Sequence, residues 1–490
     1  MSAPRGRVLV IDVGTTGTRA AIVNHNAEVL HVQYRRTPPL TPFAGLVEFD
    51  PGELARTVVE LANLALDHVD GVDAVGITNQ RGSTVLWDRT TGEPLGNGLG
   101  WQDLRTVGEC ITARSEHGLT LAPNQSATKA AWLLAQHDPG RTRDLCIGTI
   151  DSWLVWHLTG GRAHVTDRSN AGITGLVKPD ASGWSASVMG ALGIDPAHLP
   201  TLVDSSGPVG EASLLRGAPM ICGIAGDQQA SLLGQACTRP GRTKCTFGTG
   251  GMLDMVSGAP APLHAGRLAG GTFPIACWGL AGSVTWGVEA IMLAAGSNID
   301  WLHDDLGLLP SPAASAEIAG SVPDTGGVVY VPALLGLGSP RWDYGARGIV
   351  LGATRGTTRA HLVRAVLEGV AHRGADLLEA AEADSGLEVP TLRIDGGMSN
   401  NAVFVQALAD ATGRPVEVAP NTESTTLGAG LLAGLAVGIW PDLDAVEATW
   451  RPRARVEPTT GLDRTVSRAR WAEAIERSAG WIPALSALDF

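Results

Sequence analysis

Four short stretches of the chain carry residue types whose chemistry is specific. Asp12-Val13-Gly14-Thr15-Thr16-Gly17-Thr18-Arg19 sets a carboxylate at the end of an apolar run and follows it with a Gly/Thr turn. Glycines let backbone N–H groups approach phosphate oxygens, threonine hydroxyls add donors, and an aspartate can face a divalent cation. An ordinary glycine-rich hairpin is the other reading. Ile224-Ala225-Gly226-Asp227-Gln228-Gln229 ends a buried strand at a Gly-Asp step that opens a helix. Asp227 there is either a helix cap at the positive end of the dipole or a general base that accepts a hydroxyl proton. Thr246-Phe247-Gly248-Thr249-Gly250 mirrors the first turn. Ile394-Asp395-Gly396-Gly397-Met398-Ser399 runs a strand into paired glycines, against which a flat ring such as adenine can lie. A tight strand–helix turn is the plain alternative.

The elements that must position these residues follow from the pattern around them. Val8 to Asp12 reads as a strand, Gly14 to Thr18 as a turn and Ala20 to Val23 as the return strand, with a third strand over Glu28 to Gln33. Asp50-Pro51 opens a helix reaching about His68, with Asp50 as cap and Pro51 at the first position. A buried strand follows at Val72 to Thr78. The order recurs: Thr243 to Phe247 and Met252 to Val256 form a second hairpin, with strands at Val328 to Pro332 and Leu392 to Ile394. Between them Arg359 to Ala383 has a helix period, with Leu362, Val366, Val370 and Leu377 on one face. The chain therefore reads as two related α/β halves with a cleft between them and a boundary near residues 235–245.

Composition narrows the class. The chain has 490 residues, 44% of them hydrophobic and 17% charged, which describes a folded protein and excludes a disordered one. Its net charge of −13 argues against nucleic acid as a partner. Lysine occurs only at Lys129, Lys178 and Lys244, none after a glycine, so the P-loop signature is absent. No GxGxxG occurs either, which weakens a nicotinamide dehydrogenase. The six cysteines show no CxxC spacing and lie mostly in apolar runs, as expected of buried thiols in a reducing cytoplasm. No zinc signature and no apolar stretch of ~18 residues is found, so a soluble, cytoplasmic protein is expected.

In this order and spacing the stretches resemble the FGGY family of carbohydrate kinases, whose fold is a duplicated actin/hexokinase-like (RNase H-like) ATPase domain. The resemblance runs from about Val8 to about Trp440 and looks most like the glycerol kinases. Gly148-Thr149-Ile150-Asp151-Ser152-Trp153-Leu154, His164-Val165-Thr166-Asp167 and Leu427-Gly428-Ala429 are further matching stretches. The resemblance implies an N-terminal domain over 1–238 and a C-terminal domain over 239–490. It implies transfer of the γ-phosphoryl group of ATP, with Mg²⁺, to a hydroxyl of a small polyol or sugar, and a homodimer or other homo-oligomer. Asp227 would be the base, and Asp12 with Asp227 would face the metal. Gly14, Thr15, Thr16, Thr18, Arg19, Gly248, Thr249 and Gly250 would line the phosphates, and Gly296, Gly396, Gly397 and Asn401 would shape the nucleotide site. Gln80, Arg81, Trp101 and Gln228 would face the acceptor.

Three positions depart from the glycerol kinase pattern: Gly82 stands where that group has glutamate, Asn124 where it has tyrosine, and Met252 where it has phenylalanine. A pocket that loses hydrogen-bonding partners changes its discrimination by orders of magnitude. These changes predict a pocket widened for a four- or five-carbon polyol or a ketopentose, with Asp103 contacting the added hydroxyl. Pairing of Asp103 with Arg105 on the surface is the alternative reading of that residue. A true glycerol kinase and, more remotely, a non-catalytic nucleotide-binding regulator are the alternative functions.

Overall fold

The structure is a computed structural model and describes residues 6–258, 260–420 and 423–487. Among the described residues thirteen strands join into one sheet. In chain order they are β1 (Arg7–Val13), β2 (Gly17–Asn24), β3 (Val29–Arg36), β4 (Ala74–Asn79), β5 (Ser206–Glu211), β6 (Met220–Gly226), β7 (Thr243–Phe247), β8 (Gly251–Gly258), β9 (Phe273–Leu280), β10 (Ser283–Met292), β11 (Leu392–Asp395), β12 (Val416–Val418) and β13 (Ala454–Val456). Across the sheet the order is β13-β12-β11-β7-β8-β10-β9-β5-β6-β4-β1-β2-β3.

The duplication read from the sequence is visible in the pairing. β1 pairs antiparallel with β2 and parallel with β4, which pairs parallel with β6. β7 repeats this, antiparallel with β8 and parallel with β11, which pairs parallel with β12. The halves meet through β5 and β9, at Ser206 and Leu280. Parallel strands bring their C-terminal ends to one edge, which is where ligands bind in such sheets. Here that edge carries Asp12, Asn79-Gln80-Arg81, Gly226-Asp227 and, in the second half, Phe247-Gly248 and Asp395-Gly396.

Helices cover both faces. α1 (Pro51–Leu66) starts where expected, the Asp50 carboxylate accepting from Glu53 N at 2.9 Å. With α1, Leu9 and Ile11 of β1 belong to one core; Val8 and Val10, on the opposite face, belong to another. α2 (Asp227–Gly234) and α4 (Ser424–Ala436) contribute Leu232, Leu233, Leu427, Leu431 and Leu432 to that second core. Burying side chains of this size is worth about 1.5–3 kcal/mol each. α4 belongs to the second half by sequence but lies on the sheet of the first. Its glycines permit the approach: a Cβ on Gly428 would meet Ala230 O at 1.7 Å, and one on Gly76 of β4 would meet Ala429 O at 2.4 Å.

α3 (Arg359–Ser385) runs two residues past the expected end, and α5 (Arg464–Ser478) follows β13. α5 docks through Trp471, whose indole N–H donates to Asp376, and through Ile475. The exposed segment Arg451–Arg455 leads into and forms part of β13, which adds to the sheet edge beside β12. Its arginines hold Glu417, Glu457 and Asn400, so charge is tied down on an edge strand. All six cysteines are free and buried.

Candidate active site

The first hairpin turns sharply because Gly14 N donates to Gly17 O at 2.9 Å. Asp12 sits at the end of β1, in register with Arg19 of β2 and Thr78 of β4. Its carboxylate accepts from Arg19 at 3.1 Å and from the Thr426 hydroxyl of α4 at 2.8 Å. Arg19 also pairs with Glu423 at 2.6 Å. Burial raises the Asp12 pKa above the ordinary carboxylate value, even though the Arg19 charge pulls it down.

Asp227 opens α2 at the end of β6. Its Oδ1 accepts from Gln228 N at 2.9 Å and lies 3.4 Å from Arg81 Nε. Desolvation raises its pKa; Arg81 opposes this, and the neighbouring Asp12 charge adds to the rise. A raised carboxylate beside a cleft is a better proton acceptor for a hydroxyl than an ordinary surface aspartate. Arg81 follows β4 and is almost wholly buried; its Nη2 donates to Glu289 of β10 at 2.7 Å. Its Nη1 is buried and has no partner. A guanidinium nitrogen left this way marks a place for an acceptor oxygen, because an unmade hydrogen bond in the interior is costly.

Trp101 connects the two groups of residues, its indole N–H donating to the Thr15 hydroxyl at 3.1 Å. Lys129 Nζ in turn donates to Trp101 O at 3.2 Å. On the other wall, Gly296 N donates to Gly248 O and Ala295 N to Thr249 O, both at 2.8 Å. Gly396 has φ +86°, and a Cβ there would stand 2.4 Å from Phe247 O. Gly397 beside it has open space where a side chain would be. A carboxylate edge with a buried guanidinium faces a bare-backbone wall across the cleft.

Two family models match the chain: the N-terminal domain of the FGGY family of carbohydrate kinases over residues 7–234, and its C-terminal domain over residues 243–437. The chain belongs to the FGGY family of carbohydrate kinases. A glycerol kinase of Trichlorobacter lovleyi is 42% identical over 496 residues, covering 97% of this chain and 99% of the relative. The crystal structure of Plasmodium falciparum glycerol kinase with ADP matches with a TM-score of 0.89 at 30% identity, over 96% of this chain and 98% of that one. A ligand-bound xylulose kinase from Lactobacillus acidophilus shares the fold, with a TM-score of 0.84 at 19% identity over 98% of each chain. This FGGY kinase therefore has the two-domain actin/hexokinase-like fold and is an ATP-dependent phosphotransferase with an alcohol acceptor.

Several residues of the FGGY kinase sit differently from expectation. Asp103 is fully engaged by protein donors. It is fully buried; its two oxygens accept from Val47 N at 2.7 Å, Arg105 N at 3.0 Å and the Arg105 guanidinium at 2.8 Å. Arg105 also holds Glu48 at 2.6 Å, so the alternative pairing holds, in the interior rather than on the surface. Thr18 is buried with its hydroxyl 3.1 Å from that of Thr37. Asn401 caps the helix Ala402–Thr412 through Phe404 N and donates to Ser315.

Gly82 does not open space at its own Cβ. It has φ +74°, and a Cβ there would lie 2.5 Å from Asn124 O. Its carbonyl accepts from Ser126 and Thr84 hydroxyls, so the loop is held in this conformation. Met252 lies near the start of β8, two residues before Asp254 and on the same face of the strand. Gln80 follows β4, its N–H donating to Val13 O at 2.8 Å.

Sequence reasoning missed Lys244, Asp254 and Glu289. Lys244 of β7 bridges Asp254 of β8 at 2.6 Å and donates to Gln228 Oε1 at 2.5 Å. Asp254 is in register with Glu289, which holds Arg81. This chain of charges runs from Asp227 through Arg81 into the second half and back to Gln228. The available signal was a charged residue inside each of three apolar strands, since a buried charge requires partners. Burial pushes Glu289 up to about 7, with Asp254 adding to the rise and Arg81 opposing it.

Among the described residues no cluster of three or more histidine, cysteine or acidic side chains meets around one point. The Asp12 charge raises the cost of ionising Asp227, which a divalent cation near them would relieve. Such a cation would draw its remaining ligands from water and phosphate, as Mg²⁺ does.

Proposed function

We propose that this FGGY kinase phosphorylates glycerol. The observation that carries the reading is the pairing of Asp227 with Arg81, whose Nη1 is buried without a partner. An acceptor hydroxyl seated there accepts from Arg81 and donates towards the Asp227 carboxylate. Asp227 then takes the hydroxyl proton as the oxygen attacks the γ-phosphorus in line, and the bond to the β-phosphate oxygen breaks to release ADP. Asp12, with Asp227, would hold Mg²⁺, which neutralises phosphate charge when bound. The two turns supply backbone donors, Thr15 and Thr249 flanking the phosphates, and Gly396-Gly397 the floor for adenine. Closure of the two halves excludes water, the competing acceptor.

Relatives near 40% identity that carry the name glycerol kinase support glycerol over a longer acceptor. The Asn124 carbonyl beside Gly82, and the commitment of Asp103 to Arg105, remove two supports of a widened pocket. A four- or five-carbon polyol or ketopentose is the second reading, favoured by Asn124 and Met252 in place of aromatic rings. The test is a coupled ADP-release assay with ATP and Mg²⁺ against glycerol, erythritol, xylitol, ribitol, xylulose and ribulose. The expected result is turnover on glycerol. Turnover on a longer acceptor with little on glycerol overturns it in favour of the second reading, and no turnover on any, with ATP still bound, favours a regulator.

A further inference from the structure

We propose that Asp167 is the positioning residue of this site, one buried carboxylate that sets both the strand end carrying Asp227 and the strand end carrying Arg81. The proposal rests on the roles given to those two residues above. Asp167 is fully buried, at the start of the five-residue helix Arg168–Gly172. Capping that turn accounts for two of its partners, Ser169 N and Asn170 N, each at 3.0 Å. Three side chains donate to it as well: Ser169 Oγ at 3.0 Å, Asn170 Nδ2 at 2.9 Å and Ser205 Oγ at 2.7 Å.

Each of these donors passes the constraint on. With its proton committed to Asp167, Ser169 Oγ offers a lone pair, and Gly226 N–H donates to it at 2.9 Å. Gly226 is the residue before Asp227. With its amide N–H committed to Asp167, Asn170 turns its Oδ1 to Asn79 Nδ2 at 3.0 Å. Asn79 Nδ2 also donates to Gln80 O at 2.9 Å, the carbonyl that precedes Arg81. Ser205 Oγ accepts from Gly279 N at 3.0 Å, reaching β9 of the second half. An acceptor-only carboxylate forces all three polarities. An amide in its place presents N–H groups where protons already point, so at least one relay must reverse. All these side chains are buried, so water cannot substitute.

The two branches make separable demands. Ser169→Ala removes only the relay to Gly226, so kcat should fall about 10–100-fold with the acceptor KM nearly unchanged, since small misplacements of a catalytic group are that costly. Asn170→Ala removes only the relay to Gln80, so the acceptor KM should rise about 10-fold with a smaller change in kcat. Asp167→Asn should do both, and Ser169→Thr, which keeps the hydroxyl, should restore most of the kcat lost in Ser169→Ala.

Steady-state kinetics with the best acceptor of the panel, alongside thermal unfolding, tests this in the full chain. Ser169→Ala and Asn170→Ala that lower kcat and raise KM alike, or that leave both unchanged, overturn the proposal; so does a loss of activity matched by a fall in the fraction folded. If Asp167→Asn does not fold, the two branch variants decide. Asp227→Asn is the control for the reading beneath: if it stays active, the base assignment fails whatever Asp167 does, and if it is inactive beside unaltered branch variants, only the positioning role fails.

Discussion

The two hairpins occupy equivalent places in the duplicated sheet and are built oppositely. In the first, Asp12 of β1 faces Thr78 of β4 in register; in the second, Thr246 of β7 faces Asp395 of β11. Carboxylate and hydroxyl have exchanged strands. Around the first turn a Cβ on Gly14 would meet its nearest neighbour only at 3.4 Å, and the side chains are charged: Asp12, Arg19 and, across the edge, Asp227. Around the second, Cβ atoms on Gly250, Gly296 and Gly396 would meet backbone oxygens at 2.8, 2.6 and 2.4 Å. The first turn lies among charged side chains, with Gly17 packed on the Tyr34 side chain; the second is enclosed by backbone oxygens at Gly250, Gly296 and Gly396 and left open at Gly248 and Gly397. On the function proposed above, the duplicated frame divides its labour, with the acid–base residues on one side and close backbone approach on the other. Lesions in the first half should cost activity and lesions in the second should cost folding.

Asp227→Asn is the strongest test of that division. It should lower kcat by about 1,000-fold, within the usual range for loss of a general base, with unchanged or slightly raised Tm and retained ATP binding. Measurable turnover near the wild-type rate would break the assignment. Gly396→Ala should act in reverse. Its backbone is left-handed and its Cβ would overlap Phe247 O, so a loss of about 2 kcal/mol or more in denaturant unfolding is expected. Equal stability would break the claim that the backbone is closely packed at Gly396.

Glu289 sharpens the comparison through pH, because it lies in the second half but serves Arg81 of the first. Burial lifts it to about 7 from 4.5. Between those values the native state holds a proton that the unfolded chain releases, so its contribution to stability falls as pH rises from about 4.5 to about 7. Glu289→Gln should flatten the fall in Tm over that window relative to the wild type, while weakening acceptor binding through Arg81. The smallest effect is expected of Gly14→Ala. Its stability should stay within about 0.5 kcal/mol of wild type while the KM for ATP rises several-fold, a split readable from unfolding and kinetics on one preparation.

Much of this frame was legible in the residues. The two Gly/Thr hairpins, the Asp50 cap and the long helix at Arg359 are local patterns, and local patterns survive into structure. What was not legible depends on partners far along the chain. Lys244, Asp254 and Glu289 each look like a stray charge in an apolar strand until register sets them side by side. Asp103 looked like a ligand contact because Arg105 and the Val47 amide, which consume it, are fixed by loop packing. Gly82 suggested empty space because sequence does not show that a neighbouring carbonyl fills it. Thr18 and Asn401 stand beside the turn residues in sequence, and only the structure shows Thr18 against Thr37 and Asn401 capping a helix.

The placement of α4 bears on the order in which this molecule can be completed. The sheet of β1, β4 and β6 leaves the ribosome early, yet the helix that covers Val8, Val10 and Cys222 is encoded after nearly all of the second half. Until Ser424–Ala436 has been synthesised, that face is exposed and Asp12 lacks the Thr426 hydroxyl. A growing chain therefore carries this sheet face without its covering helix, and Asp12 without one of its two side-chain donors, until residues 424–436 have been made.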